Sequence, residues 1–161
     1  MKMFLFVLFV GSGTALTAQE LHYTKTPSGY VMVLHPGDSL FHCIEQLAVR
    51  ENIPSATLTA IGFVHVRFGF FKKGSKTYKQ KTFKHVELVS FSGSLAWKNG
   101  NPSIHAHAIA ANSRYKTYGG HVMDAVVSTG SVELTLVVHD KKLERKKNEA
   151  LGAEVLQVGN R

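Results

Sequence analysis

Between residues 56 and 139 apolar side chains recur at every second position. Val64, Val66, Phe68 and Phe70 alternate with His65, Arg67 and Gly69, and Val132, Leu134, Leu136 and Val138 alternate as cleanly. A period of two sends one face of a strand into a core and the other toward solvent, which confines this stretch to sheet with one covered face. Strands are expected over residues 30–34, 56–61, 64–71, 77–83, 85–91, 93–97, 103–110, 121–128 and 131–139. Residues 85–91 and 93–97 form one strand bent at a bulge at Ser92-Gly93. Lys72-Lys73-Gly74-Ser75, Lys98-Asn99-Gly100-Asn101-Pro102 and Thr129-Gly130 read as turns, and residues 112–118 as a loop.

One segment breaks the period. Leu40, Cys43, Ile44, Leu47 and Ala48 mark a single face at helical spacing. His35-Pro36-Gly37-Asp38 turns into that helix, Asp38 or Ser39 caps it, and it stops near Asn52, before Pro54. About seven strands and one main packed helix make an α+β domain with a largely antiparallel sheet. The chain has 161 residues, enough for one domain and a substantial core.

The N-terminus reads separately. Met1-Lys2-Met3, an apolar run from Phe4 to Val10 and small residues up to Ala18 have the form of a secretory signal peptide. A buried N-terminal strand is the competing reading. The expected division is a signal peptide at 1–18 and a single domain at 19–161, ending in a basic, partly flexible tail from Asp140. Cleavage would make the protein secreted or periplasmic; without it the chain would be cytoplasmic. No second apolar stretch is long enough to span a bilayer, so no stable transmembrane anchor would remain after cleavage.

Formal net charge is +8. This favours an anionic partner, whether nucleic acid, anionic lipid or cell-wall polymer, without selecting one. The single cysteine, Cys43, excludes an intrachain disulfide and reads as a buried structural thiol on the helix face.

Chemistry is concentrated in histidines. His105 and His107 are spaced i, i+2 on an expected strand, so both leave the same face. His121 follows Gly119-Gly120, a pair that could return the chain to that face. Three imidazoles at one point would be a metal site or an acid–base site; as a metal site they could hold Zn²⁺, with a fourth position for water or another ligand. The competing reading is a set of polar surface residues near a subunit seam. Gly119-Gly120 is read first as a tight turn; an anion pocket of backbone N–H groups is the alternative. Arg114, Tyr115, Lys116 and Tyr118 lie in the intervening loop. Arg114 and Lys116 could close over an anionic ligand, against a solvated loop as the plainer reading. Glu87 and Glu133 interrupt apolar strands. If either points at the histidines it could ligate, orient a ring nitrogen or act as a base; otherwise both lie on the wet face. Asp124 would face the other side.

Several segments together resemble one family. They are Pro36-Gly37-Asp38, Ser55-Ala56 leading to Ile61-Gly62, Phe68-Gly69-Phe70-Phe71, Lys76-Thr77-Tyr78 and residues 86–93. Most specific is the stretch from Pro102 through His105-Ala106-His107 to Gly119-Gly120-His121-Val122, followed by Glu133-Leu134 and Leu143-Glu144-Arg145. In this order they resemble the PPC domain, also called DUF296, over about residues 28–156. The resemblance implies an α+β fold, a homotrimer, and His105, His107 and His121 as a metal-ligand set with zinc the usual suggestion. Bacterial members carry a DNA-binding label because plant relatives join the domain to AT-hooks. This chain departs from those relatives: it has no Arg-Gly-Arg-Pro hook, and it has the apparent export signal. Both departures weigh against specific nucleic-acid binding. The function expected is an exported, trimeric binding or assembly module with a three-histidine zinc site and an anionic small molecule or a protein as partner. A zinc-dependent hydrolytic enzyme and a DNA-binding protein are the alternatives.

Overall fold

The computed structural model describes residues 20–159, so the signal-peptide reading of residues 1–18 lies outside the described residues. The elements are β1 (Tyr23–Thr26), β2 (Gly29–Leu34), α1 (Leu40–Arg50), β3 (Ser55–Lys72), β4 (Thr77–Lys98), β5 (Asn101–Ala111), β6 (Thr117–His139), β7 (Glu144–Asn148) and β8 (Ala153–Gln157). They form one eight-stranded sheet in the order β1-β2-β6-β3-β4-β7-β8, with β5 pairing β4 and β6. All pairings are antiparallel except the β4–β7 contact at Trp97 and Glu144. The long strands close a cycle: β3 pairs β4, β4 pairs β5, β5 pairs β6, and β6 returns to β3. The α+β architecture expected from the alternation and the single helix is the one found.

Alternation sets the core. On β6, Val132, Leu134 and Leu136 are buried while Glu133 and Val137 are exposed. The apolar face of α1, comprising Leu40, Cys43, Ile44, Leu47 and Ala48, packs into the same cluster as Met32, Leu34, Leu58 and Phe91. Burial pushes the Cys43 thiol up to about 11, so it is inert in the way the sequence suggests. Ser39 is the helix N-cap, its Oγ accepting from the His42 N–H at 3.4 Å. Ser39→Ala is therefore expected to lower unfolding free energy by about 1 kcal/mol in a urea titration, with little change in slope.

Three expected breaks are absent, and so is the expected bulge at Ser92-Gly93. Residues 77–83 and 85–91 are not two strands: β4 runs through both, with Phe83 opposite Val66 and Val86 opposite Val64, so Lys84 and His85 form a bulge. The chain does not stop at Gly62: β3 runs on, with register shifts between Ala60 and Gly62 and between Val64 and Val66. Thr129-Gly130 does not turn the chain into a new strand. Gly62 pairs with Val132 and Val64 with Val127, so residues 128–131 leave the ladder and β6 rejoins the same neighbour. A glycine that reads as a turn can equally serve a bulge inside a long strand, because it accepts the positive φ that some of each require, here +63° at Gly130. Ser92 and Gly93 pair regularly on both sides; the irregularity on the β5 side falls between Leu88 and Ser90 instead. Short strands also form outside the expected segments, at β1 and in the tail, where β7 and β8 make a hairpin.

Candidate metal centre

β5 decides where the histidines go. Ala106, Ala108 and Ala110 are buried, and His105 and His107 leave the opposite face. β6 then pairs beside β5 with His107 directly opposite His121. Opposed residues of an antiparallel pair share a face, so His121 joins the other two. The ring centroids lie 5.3 Å apart for His105–His107, 5.1 Å for His105–His121 and 5.3 Å for His107–His121. One nitrogen from each ring falls within 4.8 Å of the others. Ligands at Zn–N distances sit about 3.3 Å apart in a tetrahedron, so modest side-chain rotations would close the set on an ion.

Gly119 and Gly120 are not a turn. They lie inside β6, opposite Ile109 and Ala108. A Cβ at Gly119 would come within 2.9 Å of the Ala108 carbonyl oxygen. Glycine is used there for the close approach of β5, which holds the histidine strands in register. Gly69 serves the third ring in a similar way. A Cβ on it would meet the Tyr78 ring at 2.8 Å. Its absence leaves room for Tyr78 to stack on His121, with centroids 5.0 Å apart and planes at 21°.

Burial, and then the neighbouring positive groups, favour the neutral form of two of the imidazoles. Desolvation, then His105 and His107, push His121 down to about 4. Desolvation, then His107 and Arg145, lower His105. Neutral nitrogen is the form a metal takes. The shift also links to stability. As pH falls, the unfolded chain protonates this histidine near the ordinary 6.5, whereas the folded chain resists until about 4. The unfolded state therefore binds more protons in that window, and stability falls with pH. Metal-free protein is expected to lose stability between pH 6.5 and 4, and His121→Asn to flatten that slope. Denaturant titrations at pH 7 and pH 4.5 check it, and equal slopes in both proteins would remove the assignment.

A cavity of about 810 Å³ opens beside the rings, walled by Phe70, Phe71, Tyr78 and Ile109 and floored by Ser92 and Gly120. The other residues read from the sequence fall elsewhere. Glu87 and Glu133 are exposed and line a separate cleft with Ile61 and Phe63. The register explains this: Glu87 pairs with Ala111, at the far end of β5 from His105. Arg114 and Lys116 are exposed in the β5–β6 loop, where their backbone N–H groups donate to Asn112 Oδ1. Neither lines the cavity; only Gly119 and Gly120 of that group do. Asp124 pairs with Arg67 at 3.6 Å. The aromatic wall and Arg145 were not anticipated as parts of the site. Phe70-Phe71 and Tyr78 belong to segments that carry the family resemblance, but their place beside His121 depends on how the β3–β4 hairpin folds.

Comparison with known proteins agrees with the fold. Residues 21–140 match the model of the Plants and Prokaryotes Conserved (PCC) domain. A candidate DNA-binding protein from Ralstonia eutropha JMP134 is 43% identical, with a TM-score of 0.83 over 85% of this chain and 96% of that one. A metal-containing protein from Archaeoglobus fulgidus is 25% identical, with a TM-score of 0.74 over 88% of this chain and 100% of that one. A plant- and prokaryote-conserved protein from Pyrococcus horikoshii is 25% identical, with a TM-score of 0.73 over 91% and 100%. No curated protein matches the chain.

Proposed function

The chain belongs to the Plants and Prokaryotes Conserved domain family, and on that premise we propose that it is a zinc-binding module of a homotrimer, with one metal position open to a small anionic ligand. The observation that carries this is the convergence of three imidazole nitrogens within 4.8 Å on an accessible sheet face. Among the described residues no carboxylate or thiol joins the group. Three protein ligands leave zinc a position for an exogenous one, and the cavity beside the rings gives that ligand a place. The metal-containing relative supports the same reading. Zinc held there would lower the pKa of a bound water toward 7, which is the chemistry of the hydrolytic alternative.

The trimer is supported by exposed apolar residues on the histidine-bearing sheet, Ile61, Phe63, Val89 and Ile109. Export is supported by the sequence of residues 1–18 alone. The test is metal content per subunit of tag-free protein, with light scattering on the same sample. Near-stoichiometric zinc in a species of three subunits is expected. Protein that takes up no zinc after incubation and desalting would end the metal reading, and a monomer would end the trimer. Intact mass of the chain from a secreting host reports whether residues 1–18 are removed.

Nucleic-acid binding is the second reading. It is favoured by the name of the Ralstonia eutropha relative and by the exposed Lys79, Lys81 and Lys84 along β4. Charge alone gives duplex binding that fades steeply with salt and ignores sequence. Sequence-dependent binding that persists at raised salt would put this reading first.

A further inference from the structure

Arg145 is the only buried charged residue among those described, at 4% exposure. It stands in the basic tail, yet β7 carries its side chain back onto the sheet. Nη1 donates to the Ser103 carbonyl. Nη2 donates to the Ser94 carbonyl at 3.1 Å and to Ser94 Oγ at 2.7 Å. All these acceptors are neutral. The ion pairs among the described residues are Arg67–Asp124, Lys98–Glu154 and Lys147–Glu149, so no carboxylate there pairs with Arg145. Bonds to neutral carbonyl and hydroxyl oxygens do not in themselves require a charged donor. A buried guanidinium without a counter-charge is costly, and it stays charged.

Its position gives the charge a use. Ser94 lies directly opposite His105 in the β4–β5 ladder, so Ser94 Oγ and the His105 ring share a face. A second cavity, of about 310 Å³, is lined by Arg145, Ser103, His105, His121, Tyr78 and Glu154, among others. The carboxylate of Glu154 is engaged by Lys98 at 2.7 Å. The guanidinium fork carries five donors, and its three bonds to Ser94 and Ser103 leave donors over.

We infer that this cavity is a carboxylate subsite, and that the ligand of the histidine centre is a small carboxylic acid held by Arg145. The Tyr78 ring stacked on His121 suits a flat apolar body. The inference rests on the proposed metal centre for the ligand's second contact; the contact with Arg145 does not need the metal.

Benzoate and its neutral counterpart benzamide, titrated calorimetrically into the zinc-loaded full chain, test this, with zinc content read on the same samples. Benzoate is expected to bind at least about tenfold more tightly. Arg145→Met is expected to weaken benzoate binding at least about tenfold and to leave benzamide binding unchanged, while zinc stays bound. Equal binding of the two probes, or a preference that Arg145→Met leaves intact, overturns the subsite. If Arg145→Met does not fold, the Nε–H resonance of Arg145 in the unaltered protein decides. Movement with benzoate but not benzamide supports the subsite, and no movement overturns it. If the chain takes up no zinc, the metal reading fails by itself. The same titrations on metal-free protein then decide the subsite by the same preference.

Discussion

His107→Ala is expected to weaken zinc binding by more than about a hundredfold and to leave the fold intact. Removing a group that merely orients a ligand costs about 10–100-fold in metal affinity, so removing the ligand itself costs more. His107 is the hinge of the set: it neighbours His105 along β5 and pairs directly with His121 across the ladder. Its side chain is exposed, so no cavity forms when it is truncated, and stability should change by no more than about 0.5 kcal/mol. His139→Ala is the matched control. Its ring bonds Thr57 Oγ1 at 3.1 Å, away from the triad, and its loss should leave zinc affinity unchanged. Competition against a chromophoric chelator measures both variants, and far-ultraviolet circular dichroism checks folding. Parental affinity in His107→Ala would show that any bound zinc sits elsewhere.

The along-strand spacing and the cross-strand pairing that build this site are legible in different degrees. Spacing of i, i+2 on a strand is a local fact, and it placed His105 and His107 together without a structure. That His121 completes the set depends on register between β5 and β6, which the family resemblance implied and the alternation could not supply. A one-residue slip would send His121 to the core face. Glu87 and Glu133 show the limit from the other side. Their alternation made them wet-face residues, as they are, but which wet-face neighbours they have is again a matter of register. It brings them to each other's cleft and not to the histidines.

Strand ends are hard to place in the sequence for a related reason. Gly62, His85 and Gly130 take positive φ; in the sequence the glycines look like strand ends, and at His85 the interrupted alternation does. In a sheet whose long strands pair on both sides, the ladder resumes after the irregular residue, so each becomes a bulge within one strand. Arg145 was hidden by its company. Lys141, Lys142, Lys146 and Lys147 surround it in the chain, and a charge run ordinarily reads as solvated. The short parallel contact of Glu144 with Trp97 lays β7 along β4, and from there the guanidinium reaches Ser94 and Ser103.

Leu134→Ala is expected to cost about 3–4 kcal/mol, above the low end of the range for buried leucines, because the site cannot collapse. Leu134 is fully buried. It pairs with Met32 on β2 and with Ala60 on β3, so β6 is held by ladders on both sides at this position. Backbone movement into the void would break hydrogen bonds to one neighbour or the other. A domain with about 5–15 kcal/mol of stability would keep its fold but lose a large share of its margin. Val137, three residues along the same strand and on the opposite face, is 42% exposed; Val137→Ala should cost well under 1 kcal/mol. Urea titrations of the two variants therefore read the face assignment of β6 directly. Similar losses in both would mean that the faces are not divided between core and solvent as described.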